Sequence, residues 1–415
     1  MSANNFLEKL LDGAEVEWVP LGDISEIYGG LTGKSKADFQ DGNAKYVSYK
    51  NIFSNIEVDT AILELVRVGD NERQHKVQYG DVLFTGSSEI ADEAGMSSAV
   101  TRVLEEPVYL NSFSFGLRFH DGITLKPEFA KYLFRTHYMR TAIANSASGV
   151  TRFNVSKARF KNILIPIPCP ENPARSLDIQ AAIVRILDSF TELTAELTAE
   201  LTARAQQYDY YRDQLLNIEE KEWKPLGEVA TIGTGSRNTN EAKESGRYPF
   251  YVRSQTPKAI DEYEFDETAI ITAGDGVGVG KVFHYVTGKY ALHQRAYRIV
   301  VTSELINSRF LFHFIRCHFP KYLAMTSVHA SVTSLRKPMF EKYPVPILPL
   351  AEQARIVSIL DKFDTLTHSL SEGLPREIEL RQQQYEHYRD LLLQFPRHNA
   401  QGTIGKAQGT MPNEQ

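Results

Sequence analysis

The sequence predicts a mixed α/β protein: two globular modules joined by two long antiparallel coiled-coil helices in a pseudo-twofold circular arrangement. Three observations predict it. The chain has 415 residues, which suits two domains of about 150 residues plus connecting segments. One sequence unit occurs twice, and a long helical pattern follows each copy.

The repeat is visible as paired segments with the same spacing. A shift of 205 residues superposes the module openings, including Trp18 on Trp223 and Pro20-Leu21-Gly22 on Pro225-Leu226-Gly227. The closest matches are in the helices, IQAAIVRILDSF (179–190) with EQARIVSILDKF (352–363) and QQYDYYRDQLL (206–216) with QQYEHYRDLLL (383–393). Such agreement over two motifs indicates an internal duplication.

The chain starts partway through its own repeat. Residues 6–11 (FLEKLL) align with the end of the central helix, where YYRDQLL stands. A unit that begins inside its own period, and ends where the first copy began, is typical of a circularly permuted, closed arrangement. This is why we expect pseudo-twofold symmetry.

The helices are predicted from periodicity. Apolar residues recur every three or four positions from Ile179 to Leu201, and no Gly or Pro interrupts residues 177–216. This stretch includes the tetrapeptide Thr-Ala-Glu-Leu twice, at 194–197 and 198–201. Gly373-Leu374-Pro375 should break or kink the distal helix. Each apolar stripe fits either ordinary core packing or a partner interface.

The modules contain short β-branched and aromatic runs bounded by Gly, Asn and Asp, which predict strands at 45–48, 81–84, 269–272 and 297–301. Helical segments are expected at 128–138 and 308–319. The predicted organisation is an N-terminal segment that packs with the helical region (1–14), a first module (15–168), a central helix (174–220), a second module (221–348), a distal helix (350–395) and a flexible tail (396–415).

Composition narrows the class of protein. A hydrophobic content of 42% with 24% charged residues is typical of a soluble globular protein. We expect neither a secretory signal nor a membrane span, because no apolar run approaches ~18 residues. Cys169 and Cys317 are too few for a disulfide framework or a four-thiolate zinc site, which favours the cytoplasm.

Positive charge is concentrated near the end of each module, although the net charge is −6. Residues 126–168 contain eight basic side chains and one acidic one, and residues 309–342 contain six and one. Phosphate binding is the natural use of such stretches, and a merely solvated basic face is the alternative.

Several familiar motifs do not fit. Gly29-Gly30-Leu31-Thr32-Gly33-Lys34-Ser35 is one residue short of a phosphate-binding P-loop. The glycines at 274, 276, 278 and 280 match no nucleotide-binding spacing and suggest a flexible loop or tight turn. His313, Cys317 and His318 lack a second ligand pair, so we predict partly buried histidines and no metal site. No catalytic constellation is assigned.

Taken together, the residues resemble a known family. The Trp-x-Pro-Leu-Gly openings, the Ile-Pro-x-Pro closing of the first module and the two helix motifs, with the TAEL repeat, resemble the specificity subunit of a type I restriction-modification enzyme of the IC-like group. The likeness extends to about Phe395. The helix motifs carry it, while the module interiors do not.

The resemblance implies a non-catalytic subunit with two target-recognition domains that bind double-stranded DNA. It implies two modification (methyltransferase) subunits that bind S-adenosylmethionine and methylate adenine in each half of a split target. It also implies a motor and endonuclease subunit that uses ATP and Mg. No cofactor is expected in this chain itself.

DNA contacts need Arg, Lys, Asn or Gln side chains at base edges and phosphates. The candidates in the first module are Lys34, Lys36, Lys50, Arg152, Lys157 and Arg159. Those in the second module are Arg237, Arg253, Gln255, Arg295, Arg336 and Lys337. Leu193, Leu197 and Leu201 are the candidate spacer-helix residues, where TAEL acts either as a ruler or only as a well-formed helix.

Two other functions fit the same residues. One is a stand-alone two-headed DNA-binding or architectural protein without enzymatic partners. The other is a cytoplasmic scaffold whose helices bind other helices and whose basic faces are incidental. Neighbouring genes and co-purified proteins distinguish these alternatives.

Overall fold

The structure is a computed structural model that describes residues 3–218, 222–326, 335–369 and 371–397. It divides into two compact units. Unit 1 is Met1–Ala195 with Glu379–Gln415, and unit 2 is Glu196–Ile378. The boundary in the central helix therefore falls inside the TAEL repeat.

Unit 1 contains the first module. Its elements are α1 (Ala3–Leu11), β1 (Val16–Pro20), α2 (Leu21–Ile24), β2 (Ser25–Gly29), β3 (Ala44–Val47), α3 (Tyr49–Ser54), β4 (Glu64–Val66), β5 (Lys76–Val77), β6 (Val82–Thr85), β7 (Ser87–Ser88), β8 (Ser97–Ala99), β9 (Val108–Leu110), β10 (Ser114–Phe119), α4 (Pro127–Leu133), α5 (His137–Ser146), β11 (Ala147–Ser148), β12 (Phe153–Val155), α6 (Lys157–Phe160) and β13 (Leu164–Pro168).

The central helix is α7 (Pro173–Leu216), and the second module follows it. Its elements are β14 (Glu222–Pro225), α8 (Leu226–Val229), β15 (Ala230–Thr234), β16 (Tyr248–Tyr251), β17 (Lys258–Ile260), β18 (Phe265–Ala273), β19 (Phe283–Leu292), β20 (Ala296–Val301), α9 (Ser308–Thr326), α10 (Lys337–Glu341) and β21 (Pro344–Ile347). The distal helices are α11 (Leu350–His368) and α12 (Gly373–Leu392). None of the helices in the described ranges combines the length and the apolar character that crossing a bilayer requires.

The two modules share one strand plan. A two-stranded sheet joins the start and end of each module, β1 with β13 and β14 with β21. The first module then has four-stranded sheets in the orders β2-β10-β6-β8 and β4-β3-β9-β5, and a three-stranded sheet β11-β12-β7. The second module has one six-stranded sheet, β15-β20-β18-β19-β16-β17. The single strand β19 of the second module corresponds to two separate strands, β8 and β9, of the first module.

One predicted helix differs from the structure, and a second is interrupted close to its predicted break. The segment predicted at 128–138 is divided between α4 and α5, because the Thr136 side chain accepts the N–H of Met139 and caps a new helix. The distal helix stops at His368 and resumes at Gly373, just before the predicted break. Gly373 has a positive φ of 77°, and a Cβ atom there would lie 2.4 Å from the carbonyl oxygen of Thr365. Pro375 then sits in the first turn of α12, where its missing N–H costs little.

Each unit pairs the start of one long helix with the end of the other. In unit 1, Phe190 of α7 stacks on Tyr388 of α12, with ring centroids 5.3 Å apart. In unit 2, Phe363 of α11 stacks on Tyr211 of α7 at 5.6 Å. These are the same two repeat positions. Tyr208 also lies 5.4 Å from His368, so in unit 2 the chain of α7 runs antiparallel to α11.

A fully buried glutamine joins each module to its helix. Gln180 Oε1 accepts the N–H of Lys126 at 2.8 Å, and its Nε2 donates to the carbonyl of Thr124 at 2.8 Å. Gln353 does the same with Asn307 at 2.7 Å and Leu305 at 2.9 Å. The helix motif requires glutamine because one side chain must both accept and donate at a buried turn of main chain.

An aspartate two turns later makes a second joint. Asp188 accepts the Tyr132 hydroxyl at 2.6 Å, while Asp361 Oδ1 lies 2.7 Å from Nε2 of His313. Tyr132 and His313 occupy equivalent positions in α4 and α9. Leucine and isoleucine positions between the glutamine and the aspartate fill the core, with Ile183, Leu187, Ile356 and Leu360 all buried.

We predict that Gln180→Ala lowers the free energy of unfolding by about 2 kcal/mol, because it leaves a buried N–H and a buried carbonyl without partners. Chemical denaturation followed by circular dichroism measures the change. Gln206→Ala, the same substitution at an exposed position of α7, is the control and should stay within about 0.5 kcal/mol of wild type. Equal losses in both variants would contradict the role of the buried amide.

Candidate nucleic-acid interface

Much of the positive charge near the end of the first module is turned inward. Lys131 is only 8% exposed, and its ammonium group pairs with Asp188 at 3.0 Å and with Glu57 at 3.3 Å. Arg135 donates to the main-chain carbonyls of Ile52, Asn55 and Ser97, and Arg140 to those of Asp92, Ala94 and Gly95. Burial lowers the pKa of both guanidinium groups to about 10.

The second module repeats this behaviour. Arg309 donates to Asp361 at 2.7 Å, and Arg316 donates to Asp364 at 2.8 Å, so both side chains bind α11. The expectation that the two basic stretches form matching phosphate-binding faces is therefore wrong for these five residues. The charges of Lys131, Arg309 and Arg316 serve the joint between module and helix. Those of Arg135 and Arg140 bind main-chain carbonyls within the first module. The basic side chains of the stretches that remain exposed in the described residues are Lys157, Arg152, Arg159, Lys161, Lys321, Arg336, Lys337 and Lys342.

Four segments converge in each module through the same main-chain hydrogen bonds. We call residues 47–51, 86–88, 111–113 and 152–155 the first loop cluster, and residues 251–255, 274–276, 293–295 and 335–337 the second loop cluster. Three hydrogen bonds from a main-chain N–H to a carbonyl oxygen define each cluster. In the first cluster they run from Gly86 to Phe113 (2.8 Å), from Val155 to Gly86 (3.0 Å) and from Asn111 to Val47 (3.1 Å). In the second they run from Gly274 to Arg295 (2.8 Å), from Leu335 to Gly274 (2.7 Å) and from His293 to Tyr251 (2.9 Å).

Glycine is needed where these segments cross. A Cβ atom on Gly86 would lie 2.7 Å from the carbonyl oxygen of Phe113, and one on Gly274 would lie 2.6 Å from that of Arg295. Both distances are shorter than real contacts of a Cβ atom, so either substitution would push the two segments apart. Of the flexible loop and the tight turn that the sequence suggested for these glycines, the close approach at Gly274 favours the tight turn.

A buried polar side chain holds the turn beside each crossing. Asn111 Oδ1 accepts the N–H of Phe113 at 3.0 Å, and His293 Nδ1 accepts the N–H of Arg295 at 3.0 Å. His293 must be neutral to accept this bond. Its burial, together with the positive charge of Arg253, keeps the pKa of His293 below its ordinary value, which agrees with the neutral form.

The side chains displayed by the first loop cluster are largely neutral. Arg152 donates from Nε to the hydroxyl of Ser87 at 3.0 Å and lies over the ring of Phe113 at 6.0 Å. The ring of Phe113 is 64% exposed. Tyr49 donates its hydroxyl to the carbonyl of Ser87 at 2.8 Å. The cluster therefore presents one arginine beside an aromatic face.

The second loop cluster displays charge at the equivalent positions. Arg253 Nη1 donates to Asp275 Oδ1 at 2.8 Å, and Arg295 Nη1 donates to Asp275 Oδ2 at 3.0 Å. Partial burial opposes ionisation of Asp275, but the hydrogen bonds from both arginines hold its pKa below the ordinary value. By the matched hydrogen bonds, Asp275 corresponds to Ser87 and Arg295 to Phe113.

The other DNA-binding candidates vary in availability. Gln255 belongs to the second loop cluster and is exposed, and Lys50 is exposed in the first. Lys157 and Arg159 lie exposed on α6, directly after the first cluster; Arg336 and Lys337 lie exposed at the start of α10. Lys36 is exposed in a short 3-10 helix, Lys36–Phe39. Arg237 is held by Glu241 at 3.0 Å and Glu262 at 2.8 Å.

Lys34 is the least available of the candidates. Its side chain is only 4% exposed and pairs with Glu72 at 2.5 Å. That hydrogen bond, followed by one from Gln74, lowers the pKa of Glu72 to about 2. Any phosphate contact by Lys34 has to break this ion pair. Gly30 of the same P-loop-like run lies against the main chain of Asn111: a Cβ atom on Gly30 would lie 1.9 Å from that carbonyl oxygen.

Sequence reasoning missed Ser87, Asp275, Phe113 and His293. A search for basic side chains that could contact DNA passes over neutral and acidic residues, although Ser87 and Asp275 position arginines. One signal was available. Thr85-Gly86-Ser87 and Ala273-Gly274-Asp275 both place a glycine at the end of a buried central strand, where a close crossing of main chain is expected.

The spacer leucines lie outside the packed cores. Leu193 is 36% exposed, and Leu197 and Leu201 are half-buried, whereas Ile179, Ile183 and Leu187 earlier in α7 are fully buried. Side-chain hydrogen bonds within this part of α7 include one from Arg204 to Glu200 at 3.2 Å. This part of α7 owes more to its own helix propensity than to a core.

The histidines and the cysteine of α9 have structural partners. His318 Nε2 lies 3.0 Å from the carbonyl oxygen of Leu216, and Cys317 Sγ lies 3.7 Å from Asp213. Burial raises the pKa of the Cys317 thiol. Across the described ranges, no group of three or more His, Cys, Asp or Glu side chains is arranged to hold a metal ion.

Comparison with known proteins gives a consistent result. The family profile described as the type I restriction modification DNA specificity domain matches residues 14–207 and 218–380. The specificity subunit of the type I restriction enzymes EcoR124I/EcoR124II from Escherichia coli is 34% identical over 96% of this chain and 98% of its own length. A putative type I restriction enzyme specificity subunit from Haemophilus influenzae is 30% identical over 94% and 98%.

Solved structures agree at the level of the fold. The crystal structure of a type I restriction-modification S subunit from M. genitalium superposes with a TM-score of 0.52 at 15% identity, covering 94% of this chain and 98% of the other. A chain from a study of complex assembly and conformational transition of the type I R-M system gives 0.57 at 15% identity, covering 91% and 97%. At this identity the likeness concerns the fold alone.

Proposed function

This chain belongs to the type I restriction-modification DNA specificity family, and we propose that each of its modules reads one half of a split DNA target. It is a DNA-recognition subunit of a restriction-modification complex and not itself an enzyme. Recognition by this chain directs adenine methylation and cleavage by its partner subunits. We place it in the cytoplasm, with the DNA and those partners.

The observation that carries the proposal is the equivalence of the two loop clusters. Their main-chain hydrogen bonds match pair by pair, while the side chains they display differ: Tyr49, Ser87 and Phe113 against Arg253, Asp275 and Arg295. Two modules that recognise different half-sites need the same main-chain arrangement with different side chains on it. Exposed basic residues beside each cluster supply contacts to phosphate, which position the protein without reading sequence.

The long helices supply the separation between half-sites. Two DNA-reading modules select one gap length only if a stiff element joins them, as in dimeric DNA-binding proteins. Helix α7 runs for 44 residues through the TAEL repeat without interruption. Each tetrapeptide contributes ~6 Å of rise, which corresponds to one or two base-pair steps.

The partners follow from the duplication. Each unit contains one copy of the helix pair, with the Phe190–Tyr388 stack in unit 1 and the Phe363–Tyr211 stack in unit 2. Two similar helix pairs suit two copies of one modification subunit. Those subunits bind S-adenosylmethionine and flip the target adenine out of the duplex. A motor and endonuclease subunit with ATP and Mg completes the complex.

Mapping methylated adenines across a genome tests the function directly. We expect that co-expression of this chain with a candidate modification subunit, followed by single-molecule sequencing, reveals one split motif with a fixed gap. The modification subunit expressed alone is the control and should give no such motif. If the pair binds DNA but methylates no split motif, the chain is a stand-alone DNA-binding protein instead.

Lengthening the TAEL repeat tests the role of the helix. Insertion of a third tetrapeptide after Leu201 should keep both half-sites and widen the gap by one or two base pairs, because it adds ~6 Å and slightly more than one helical turn. A single inserted alanine is the control; it turns all later residues by ~100° and should abolish methylation. Altered half-sites in the TAEL variant would refute the ruler.

Removal of the exposed arginine of the first loop cluster tests the interface. Arg152→Ala should weaken binding to the methylated motif by about tenfold and reduce the slope of log affinity against log salt concentration by about one if Arg152 contacts phosphate. Arg102→Ala, at an exposed position beyond the opposite end of β6, is the matched control. Unchanged affinity and salt slope for Arg152→Ala would remove it from the contact surface.

A further inference from the structure

One carboxylate in the second loop cluster holds two arginines. Asp275 uses a different oxygen for each, Oδ1 for Arg253 and Oδ2 for Arg295. The side chain of Asp275 is 19% exposed, while those of Arg253 and Arg295 are 42% and 62% exposed. The carboxylate therefore lies behind two guanidinium groups that face solvent. Each guanidinium has five N–H donors and spends one on Asp275, so each keeps enough for a bidentate contact.

The main chain below these side chains is fixed at several points. The carbonyl of Arg295 accepts the N–H of Gly274, and the N–H of Arg295 is bound by the buried side chain of His293. Arg253 follows Tyr251 and Val252, and the carbonyl of Tyr251 accepts the N–H of His293 at 2.9 Å. Both arginines thus start from anchored backbone and end on one carboxylate, which restricts their orientation before any ligand arrives.

The fold does not require this arrangement. In the first loop cluster the same main-chain bonds form with Ser87 in place of Asp275, Phe113 in place of Arg295 and Tyr49 in place of Arg253. A partly buried group of three charges costs solvation free energy that a neutral cluster avoids. Because the same main-chain bonds form without those charges, the frame leaves them free to bind a ligand.

We propose that Arg253 and Arg295 read guanine in the major groove of the second half-site, with Asp275 as the positioning residue that orients both. The proposal rests on the function proposed above. Arginine recognises guanine through two parallel N–H donors on O6 and N7, which demands a fixed guanidinium plane. Simple electrostatic attraction to phosphate would be weakened by Asp275, since the carboxylate cancels one positive charge and competes for the donors.

The first test uses the split motif defined by methylation mapping. We expect at least one guanine in the second half-site whose replacement by 7-deazaguanine, which lacks the N7 acceptor, weakens wild-type binding about tenfold. Arg295→Ala or Arg253→Ala should lose affinity to a similar degree and become insensitive to that replacement. Lys289→Ala removes an exposed charge at the far end of the β18–β19 hairpin and should retain the wild-type response.

Two conservative variants distinguish recognition of the base from electrostatic attraction to the DNA backbone. Arg295→Lys keeps the positive charge but lacks the two parallel N–H donors of a guanidinium. The variant should therefore lose discrimination at guanine while it keeps its affinity for unrelated DNA. Asp275→Asn should weaken binding to the motif and strengthen binding to unrelated DNA, with a steeper salt dependence, because two arginines are released from one negative charge. A merely misfolded variant loses both kinds of binding and its co-purification with the modification subunit.

The outcomes separate the two proposals. If the wild-type pair yields no split motif, the proposed function fails and this inference fails with it. If the motif appears but its second half-site contains no guanine, or 7-deazaguanine has no effect on the wild type, only the inference fails. Equal loss of specific and unrelated binding in an Arg295→Lys variant that still co-purifies with the modification subunit would show that the arginines contact phosphate, and would overturn the reading role.

Discussion

A buried glutamine amide fixes each module on the helix that carries it. Gln180 and Gln353 are inaccessible to solvent, and each satisfies one main-chain N–H and one carbonyl in the loop that precedes α4 or α9. An unpaired buried peptide group costs ~1–3 kcal/mol, so the module cannot slide along the helix without a large loss of stability. The aspartates two turns later, the apolar positions between them and the stacked Phe–Tyr pairs all depend on this alignment.

The protein separates two kinds of constraint. Positions that join module to helix carry fixed chemistry, which is why Gln180 and Asp188 have exact counterparts in Gln353 and Asp361. Positions at the loop clusters are free to change, because main-chain hydrogen bonds and two glycines maintain the frame there. Charge follows the same division: Lys131, Arg309 and Arg316 serve the joints, whereas Arg152, Arg253 and Arg295 extend from the clusters.

The fold class, the repeat and the helices could be predicted from the sequence because helical periodicity and duplication are local signals. The interface could be predicted only in part. A count of basic residues cannot distinguish Arg135, which points at carbonyls inside the module, from Arg152, which faces outward, since both lie in one basic stretch. The partnership of Asp275 with Arg253 and Arg295 joins residues about twenty positions apart across separate loops, and only the folded chain brings them together.

The chemistry of the glutamine joint has an evolutionary consequence. On the module side, Gln180 and Gln353 bind backbone atoms of Thr124, Lys126, Leu305 and Asn307, and every residue type offers the same carbonyl and nearly every one the same N–H. A module of unrelated sequence can therefore satisfy the amide as long as its loop has the same course. Recombination that brings in a foreign module at this seam therefore keeps the bonds of Gln180 and Gln353, whereas the bonds of Asp188 and Asp361 depend on which module side chain faces them.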